Sequence, residues 1–452
     1  MRRISFGRWI VVVVLLTAAG YRVMAQMNAS AYLALEGKLY AWTPGNTLLE
    51  AVPACDLEGS RVLNLALSPT GKYLALNVVS QEVFEGGYAP TPTGNLWLCD
   101  LQAKSITRLT DIDVLSQAIS RIGIWSPDGT MLAWGADNAD YSAAELWMHD
   151  VTSGTTTRIA ESMPFDYGCG SGPVPPKIAW SEAGLVAGYF VSSEEDFCLA
   201  ADIGFSIYAP NGARADLPLS FEGDTYGVGD WYLERDAVLY RPDENTAWRQ
   251  IRMSDGTVTD AGGVPGLLAP GGDAFIMLDP FAVRLPGVDA VMEPVQLQVF
   301  ETALSPDGQA ALVIAGGTVF AAADGGITVL DVHPTDPDAF SFSYLGTHVS
   351  WGAASVQVLD TQDSPCPAVE RLYFQDGKGR VLTGLGPNNL RAAPLQMADS
   401  GGQLAEGEEF EAALLGSVCS NGIRWRQVRT ASGDWWTAES RGSTYYIETM
   451  EN

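Results

Sequence analysis

The sequence predicts an all-β chain, a ring of repeated four-stranded sheets followed by a smaller, separate β-module. Three observations carry this. The 452 residues include 48 Gly and 25 Pro, with 47% hydrophobic and 18% charged residues, a composition of many short strands and tight turns with enough apolar surface for two or three cores. A turn motif recurs as Leu67-Ser68-Pro69-Thr70-Gly71-Lys72, Trp125-Ser126-Pro127-Asp128-Gly129-Thr130 and Leu304-Ser305-Pro306-Asp307-Gly308-Gln309. A second block, Asn95-Leu96-Trp97-Leu98-Cys99-Asp100 with Thr107-Arg108-Leu109, returns fifty residues later as Glu145-Leu146-Trp147-Met148-His149-Asp150 with Thr157-Arg158-Ile159.

In chain order, Arg2, Arg3 and Arg8 around the apolar run Trp9 to Leu16, followed by Val23-Met24-Ala25, read as an export signal over residues 1–25. Its apolar core is nearer ~10 residues than the ~20 that span a membrane, so cleavage is expected, with retention as an anchor the other reading. No Cys lies there to accept a lipid. Loss of Arg2, Arg3, Arg8 and Arg22 with no acid takes the formal charge from -28 to -32. Such a chain repels phosphate backbones and anionic lipid surfaces, so no nucleic-acid partner and no stable membrane span after signal removal are expected.

Six cysteines in an oxidising compartment predict disulfides. Neighbourhood suggests Cys55 with Cys99, Cys169 with Cys198 and Cys366 with Cys419, although six cysteines allow 15 connectivities. No C-x-x-C occurs and His149, His333 and His348 are scattered, so neither a metal nor a cofactor is expected.

Residues 26–360 hold the repeat. Leu63, Leu65 and Leu67 alternate as a strand should, and Tyr73-Leu74-Ala75-Leu76 follows the turn, which makes a hairpin. Pro pre-sets φ, Asp or Thr bonds its own backbone and Gly accepts the positive φ. Adding the Leu-Trp-x-x-Asp hairpin gives a four-stranded antiparallel unit, a β-propeller blade. Weaker copies follow at Ile178 to Gly184 with Phe205 to Tyr208, at Asp236 to Tyr240 with Trp248 to Ile251, and at Pro270 to Met277. Val349-Ser350-Trp351-Gly352 begins an inner hairpin with no outer one after it, and Leu33 to Trp42 reads as an outer hairpin with no inner one before it. The two ends are therefore expected to complete one blade, giving about seven blades, with six the alternative. The turn motifs resemble those of the TolB-type periplasmic propellers and their WD-repeat relatives over roughly residues 31 to 360. The resemblance implies a fold and no single function, since propellers host enzymes, scaffolds and binders alike.

A polar stretch from Asp360 to Pro365 reads as a linker, at 361–365, to a second domain at 366–452. Asn388-Asn389-Leu390-Arg391-Ala392-Ala393-Pro394, Leu404-Ala405-Glu406-Gly407-Glu408 into Phe410, Trp425-Arg426-Gln427-Val428-Arg429 and Asp434-Trp435-Trp436-Thr437-Ala438 together resemble a bacterial Src-homology-3-like domain. Val428 and Trp436 match that family's pattern, while Asp434-Trp435 stands where Gly-x is commoner. The resemblance implies a small, partly open β-barrel of a kind used outside the cell to hold wall-associated glycan or peptide. Trp425, Trp435, Trp436, Tyr445 and Tyr446 are candidates for a stacking groove, with Arg391 beside it. The competing reading packs these aromatics into the core and has Arg391 bracket its own loops.

No catalytic residue is expected. Glu194-Glu195-Asp196 and Asp331, Asp336 and Asp338 read as solvated loops without a calcium-loop pattern. Gly168-Cys169-Gly170-Ser171-Gly172 lacks the Gly two residues before Ser171 that a nucleophile elbow needs. The last 85 or so residues are too few for an α/β-hydrolase domain of well over ~150. The inner hairpins carry Leu63, Leu65, Ile124, Trp125, Ile178, Trp180 and Leu304, apolar where a funnel enzyme places His, Arg and acids. The expectation is an exported, monomeric, non-catalytic binding or scaffold protein whose partner is a protein or a cell-wall glycan or peptide. A hydrolase or lyase in the propeller funnel is the alternative.

Overall fold

A computed structural model describes residues 30–35, 37–46, 48–82, 94–111, 124–137, 144–163, 166–168, 172–174, 177–181, 184–191, 201–223, 231–234, 237–241, 247–268, 275–278, 281–285, 290–293, 300–305, 308–315, 318–323, 326–330, 348–350, 355–359, 372, 374, 377–412 and 417–450. The export signal, the linker at 361–365, Cys169, Cys198 and Cys366 lie outside them, as do the acidic clusters at 194–196 and 331–338 and Ser171.

Among the described residues seven four-stranded antiparallel units form a β-propeller, in agreement with the expected count of about seven. Blade 1 is Ser60–Leu67, Tyr73–Ser80, Asn95–Asp100 and Ser105–Arg108. Blade 2 is Ile124–Trp125, Met131–Asp137, Ala144–Asp150 and Thr155–Met163; blade 3 is Lys177–Ser181, Gly184–Val191, Ala201–Tyr208 and Arg214–Gly223. Blade 4 is Trp231–Glu234, Ala237–Tyr240, Arg249–Arg252 and Val258–Asp260; blade 5 is Val264–Leu268, Phe275–Leu278, Phe281–Leu285 and Ala290–Glu293. Blade 6 is Phe300–Leu304, Ala310–Ala315, Thr318–Ala323 and Gly326–Leu330.

The repeated motifs account for the local structure. In blade 2 the Met131 N–H donates to Ser126 Oγ at 2.9 Å, Ser126 Oγ donates to Asp128 at 2.6 Å, and Gly129 takes φ +70° to close the turn. The Ser126 hydroxyl and the Thr130 N–H hold the Asp128 carboxyl below the usual carboxylate range. The aspartate of the outer hairpin works the same way, since Asp150 accepts from the N–H groups of Thr152 at 2.7 Å and Ser153 at 3.1 Å. The motif tryptophans join one blade to the previous one. Trp125 Nε1 donates to the Ala66 carbonyl of blade 1 at 3.0 Å, and Trp180 Nε1 donates to the Ile124 carbonyl of blade 2 at 2.9 Å. Between the blades lie apolar cores, such as that of Leu65, Leu74, Leu76 and Leu96 with Leu132 and Trp134.

The two ends of the repeat meet in a closing blade, but not as two hairpins. Ala31–Leu35, Lys38–Trp42 and Glu50–Ala51 supply three strands, and His348–Ser350 pairs with the first of them, with Leu33 opposite Val349. The N-terminal segment thus leaves a single vacant position. The following strand, Ser355–Leu359, pairs instead with Val264–Leu268 along the inner edge of blade 5, in five antiparallel rungs. An open strand edge is a row of unpaired N–H and C=O groups, and pairing with Ser355–Leu359 satisfies the one along Val264–Leu268.

Cys55 and Cys99 form a disulfide that ties the chain leaving the closing blade to the third strand of blade 1. Cys419 is also disulfide-bonded, to a cysteine outside the described residues. Among the described residues no helix is long and apolar enough to cross a membrane.

The C-terminal module comprises Lys378–Val381, Asn388–Arg391, Ser400–Leu404, Glu409–Ala412, Ser417–Ser420, Ile423–Thr430, Gly433–Arg441, Thr444–Tyr445 and Ile447–Thr449. Its own core is Val381, Leu390, Leu404, Phe410, Ala412, Val428 and Ile447. Ser417–Ser420 pairs with Ala290–Glu293, the outer strand of blade 5, so propeller and module share one continuous sheet. Blade 5 is thereby covered on both edges by chain that follows the ring.

Candidate functional site

The six residues expected to form a groove divide into two groups. Trp425 and Trp436 are buried, at 3% and 2% exposure, and burial removes them from any surface groove. Trp425 Nε1 donates to Ser420 Oγ at 3.0 Å, and Ser420 Oγ in turn donates to the Pro394 carbonyl at 2.6 Å. Trp436 meets Phe320 of blade 6 edge to face with ring centroids 6.1 Å apart, so it fills the seam between module and propeller. Trp435, Tyr445 and Tyr446 are half-buried. The Trp435 ring lies so close over Gly401 that a β-carbon there would come within 2.2 Å of it. Arg391 donates from Nη1 to the Ala398 carbonyl at 3.1 Å and brackets its own loop.

A buried ion pair anchors the start of the module. Arg426 Nε and Nη2 donate to Glu439 Oε2 at 2.9 and 2.7 Å, with side chains 3% and 0% exposed. The backbone of one residue joins both partners. Leu372 N–H donates to Glu439 Oε1 at 2.9 Å, and Arg426 Nη2 donates to the Leu372 carbonyl at 3.0 Å. The Phe374 ring lies 5.0 Å from the guanidinium.

The concave surface lies elsewhere. A cleft of about 490 Å³ is lined by Lys378, Leu404, Glu408 to Glu411 and Arg429 to Ala431. Alternation builds it: along Lys378–Val381 and Glu409–Ala412, Gly379, Val381, Phe410 and Ala412 point inward, while Lys378, Arg380, Glu409 and Glu411 point out. Register then sets signs side by side. Lys378 stands opposite Glu411, Glu411 opposite Arg429, and Arg429 opposite Asp434. The parallel row is Glu448, Arg380 and Glu409. Asp434 accepts from Arg429 Nε at 3.0 Å and, with Glu411 adding its field, holds the guanidinium protonated above its ordinary range. Arg380 is committed to Glu448. Lys378 and Glu409 make no ion pair among the described residues.

These cleft residues were not singled out from the sequence. The available signal was the charge-apolar alternation of Lys-Gly-Arg-Val and Glu-Phe-Glu-Ala, but which charges become neighbours depends on strand pairing. Among the described residues no group of three or more His, Cys, Asp or Glu side chains is arranged to hold a metal ion.

No protein-family model matches the chain, and no curated protein does. Among solved structures, TolB from Acinetobacter baumannii is 14% identical over 77% of this chain and 74% of that one, with a TM-score of 0.36. The β-propeller domain of the Trilobed protease from Pyrococcus furiosus, described as having an open velcro topology, is 12% identical over 68% and 89%, at a TM-score of 0.40. An oligogalacturonate lyase in complex with manganese is 11% identical over 69% and 87%, at 0.40. Similarity at this level carries no functional argument, and the propeller rests on the strand pairing of the chain itself.

Proposed function

We propose that this chain is an exported, non-catalytic binding or scaffold protein. Its propeller is the recognition platform, and its C-terminal module, read as a Src-homology-3-like domain, is a contact to cell-wall peptide or glycan or to a protein of the envelope. The observation that carries this reading is the strand-built, mixed-charge cleft on the outward face of a module that shares one sheet with the propeller. A site placed on paired strands is held rigidly, as recognition of a small polar ligand requires. The Cys55–Cys99 disulfide fits an oxidising compartment outside the cytoplasm. The strand Ser355–Leu359 along the inner edge of blade 5 also favours this reading over an active site in the funnel, because backbone that would face the axis is already paired.

Retention of the full chain on purified peptidoglycan sacculi tests the proposal. The cleft is lined mainly by charged side chains, so stacking is not the main source of affinity there. Binding through the cleft is expected to fall several-fold between ~0.05 and ~0.5 M salt, because exposed charges are screened. No retention at either salt, with the chain folded, removes the envelope role.

A further inference from the structure

We propose that Asn421 is a site of spontaneous covalent modification, converting to aspartate and isoaspartate through a cyclic imide, and that the conversion loosens the seam between the C-terminal module and blade 5.

The chain contains two Asn-Gly pairs, Asn211-Gly212 and Asn421-Gly422. Such pairs close tight turns because both residue types tolerate positive φ. They are also prone to imide formation, because glycine places no side chain over its own amide nitrogen. The Gly N–H gives up its proton to solvent base, the nitrogen attacks the Asn Cγ, and the bond from Cγ to the side-chain NH₂ breaks with release of ammonia. Water then opens the imide. Opening at the former side-chain carbonyl gives aspartate, while opening at the main-chain carbonyl gives isoaspartate, whose backbone is longer by one carbon atom.

The fold treats the two pairs differently. At 211–212 both reacting groups are occupied, since Asn211 Oδ1 accepts from the Ala213 N–H at 3.0 Å and the Gly212 N–H donates to the Ala209 carbonyl at 2.9 Å. Asn421 and Gly422 are exposed, at φ +50° and +70°. Neither the Asn421 side chain nor the Gly422 N–H makes a hydrogen bond among the described residues. Amide and nucleophile are both available there.

Position gives the reaction its consequence. The turn joins Ser417–Ser420, buried throughout and paired with Ala290–Glu293 of blade 5, to Ile423–Thr430. Ser420 stands opposite Ile423, so the register accommodates a two-residue connection. An added backbone atom and a new carboxylate fall at the end of the strand that fastens the module to the ring.

The full-length protein is aged in mildly alkaline heavy-oxygen water, folded and in denaturant, and both sites are followed by peptide mapping and mass spectrometry. In the unfolded chain the two pairs should convert at similar rates. In the folded chain Asn421 should convert faster than Asn211 by about 5–30-fold, the factor that one or two hydrogen bonds are worth, with one heavy oxygen taken up per conversion. Backbone hydrogen exchange of 417–420 and 290–293 should then run about fivefold faster than in fresh protein. Asn421→Gln, which would have to close a larger and slower ring, should age without that change. An Asn421 that stays intact in the folded chain while the unfolded chain converts, or an Asn211 that converts as fast, overturns the site. Unchanged exchange after conversion, or a loosening that aged Asn421→Gln shares, overturns its effect on the seam.

Discussion

Replacing Glu439 by Gln tests whether the Arg426–Glu439 pair is as desolvated as the structure shows. The carboxylate is 0% exposed and accepts three hydrogen bonds, two from Arg426 and one from the Leu372 N–H. Gln keeps one acceptor oxygen but turns an NH₂ group toward another donor, and it removes the Glu439 charge from a guanidinium that is 3% exposed. Breaking a buried pair in this way costs about 3–5 kcal/mol. The loss should be concentrated around the pair, so it is read from the hydrogen-exchange opening free energies of 423–441 and not from a single melting temperature of the whole chain. The double variant Arg426→Met with Glu439→Leu should recover most of the loss, because neither charge is then left uncompensated. A loss below about 1 kcal/mol for Glu439→Gln would mean that water reaches the pair. A double variant no better than the single would refute the argument from an uncompensated charge.

Three further outcomes follow from the geometry. Changing both Cys55 and Cys99 to Ser should destabilise the propeller by about 4 kcal/mol, because the bridge closes a loop of 44 residues, and reductant should then have no further effect on this linkage; exchange protection of blade 1 reports it. Gly401→Ala should cost about 1–3 kcal/mol and shift tryptophan fluorescence, since the new methyl displaces the Trp435 ring, and an unchanged spectrum would exclude the close approach. Burial of His149 lowers its pKa, with Asp150 opposing, so the folded state binds the proton less well than the unfolded chain. Its contribution is complete above the ordinary imidazole value of about 6.5 and is lost as pH falls through the lower folded value, so the stability of blade 2 should drop across that window, and less so in His149→Gln.

Much of the propeller was legible because its information is local. Ser126, Asp128 and Gly129 close their turn through bonds spanning two to five residues, Trp125 and Trp180 recur with the turn, and apolar alternation marks each strand. These residues specify a four-stranded unit wherever it sits in the chain, and counting units counted blades. The assignment of edges was not local. Val349 and its neighbours pair with the N-terminal strand as their sequence suggests, but a third N-terminal strand, Glu50–Ala51, fills the blade and sends Ser355–Leu359 to blade 5. Trp425 and Trp436 read equally well as groove or core, and the outcome for Trp436 was decided by Phe320, more than a hundred residues away. Lys378, Glu411 and Arg429 are unremarkable charges in the sequence and become one row only through register. Turn chemistry and side-chain period act within a few residues and are written where they act. Which edge pairs, which aromatic is covered and which charges adjoin depend on competition among distant segments for the same backbone groups and the same volume, and that is settled only when the chain folds.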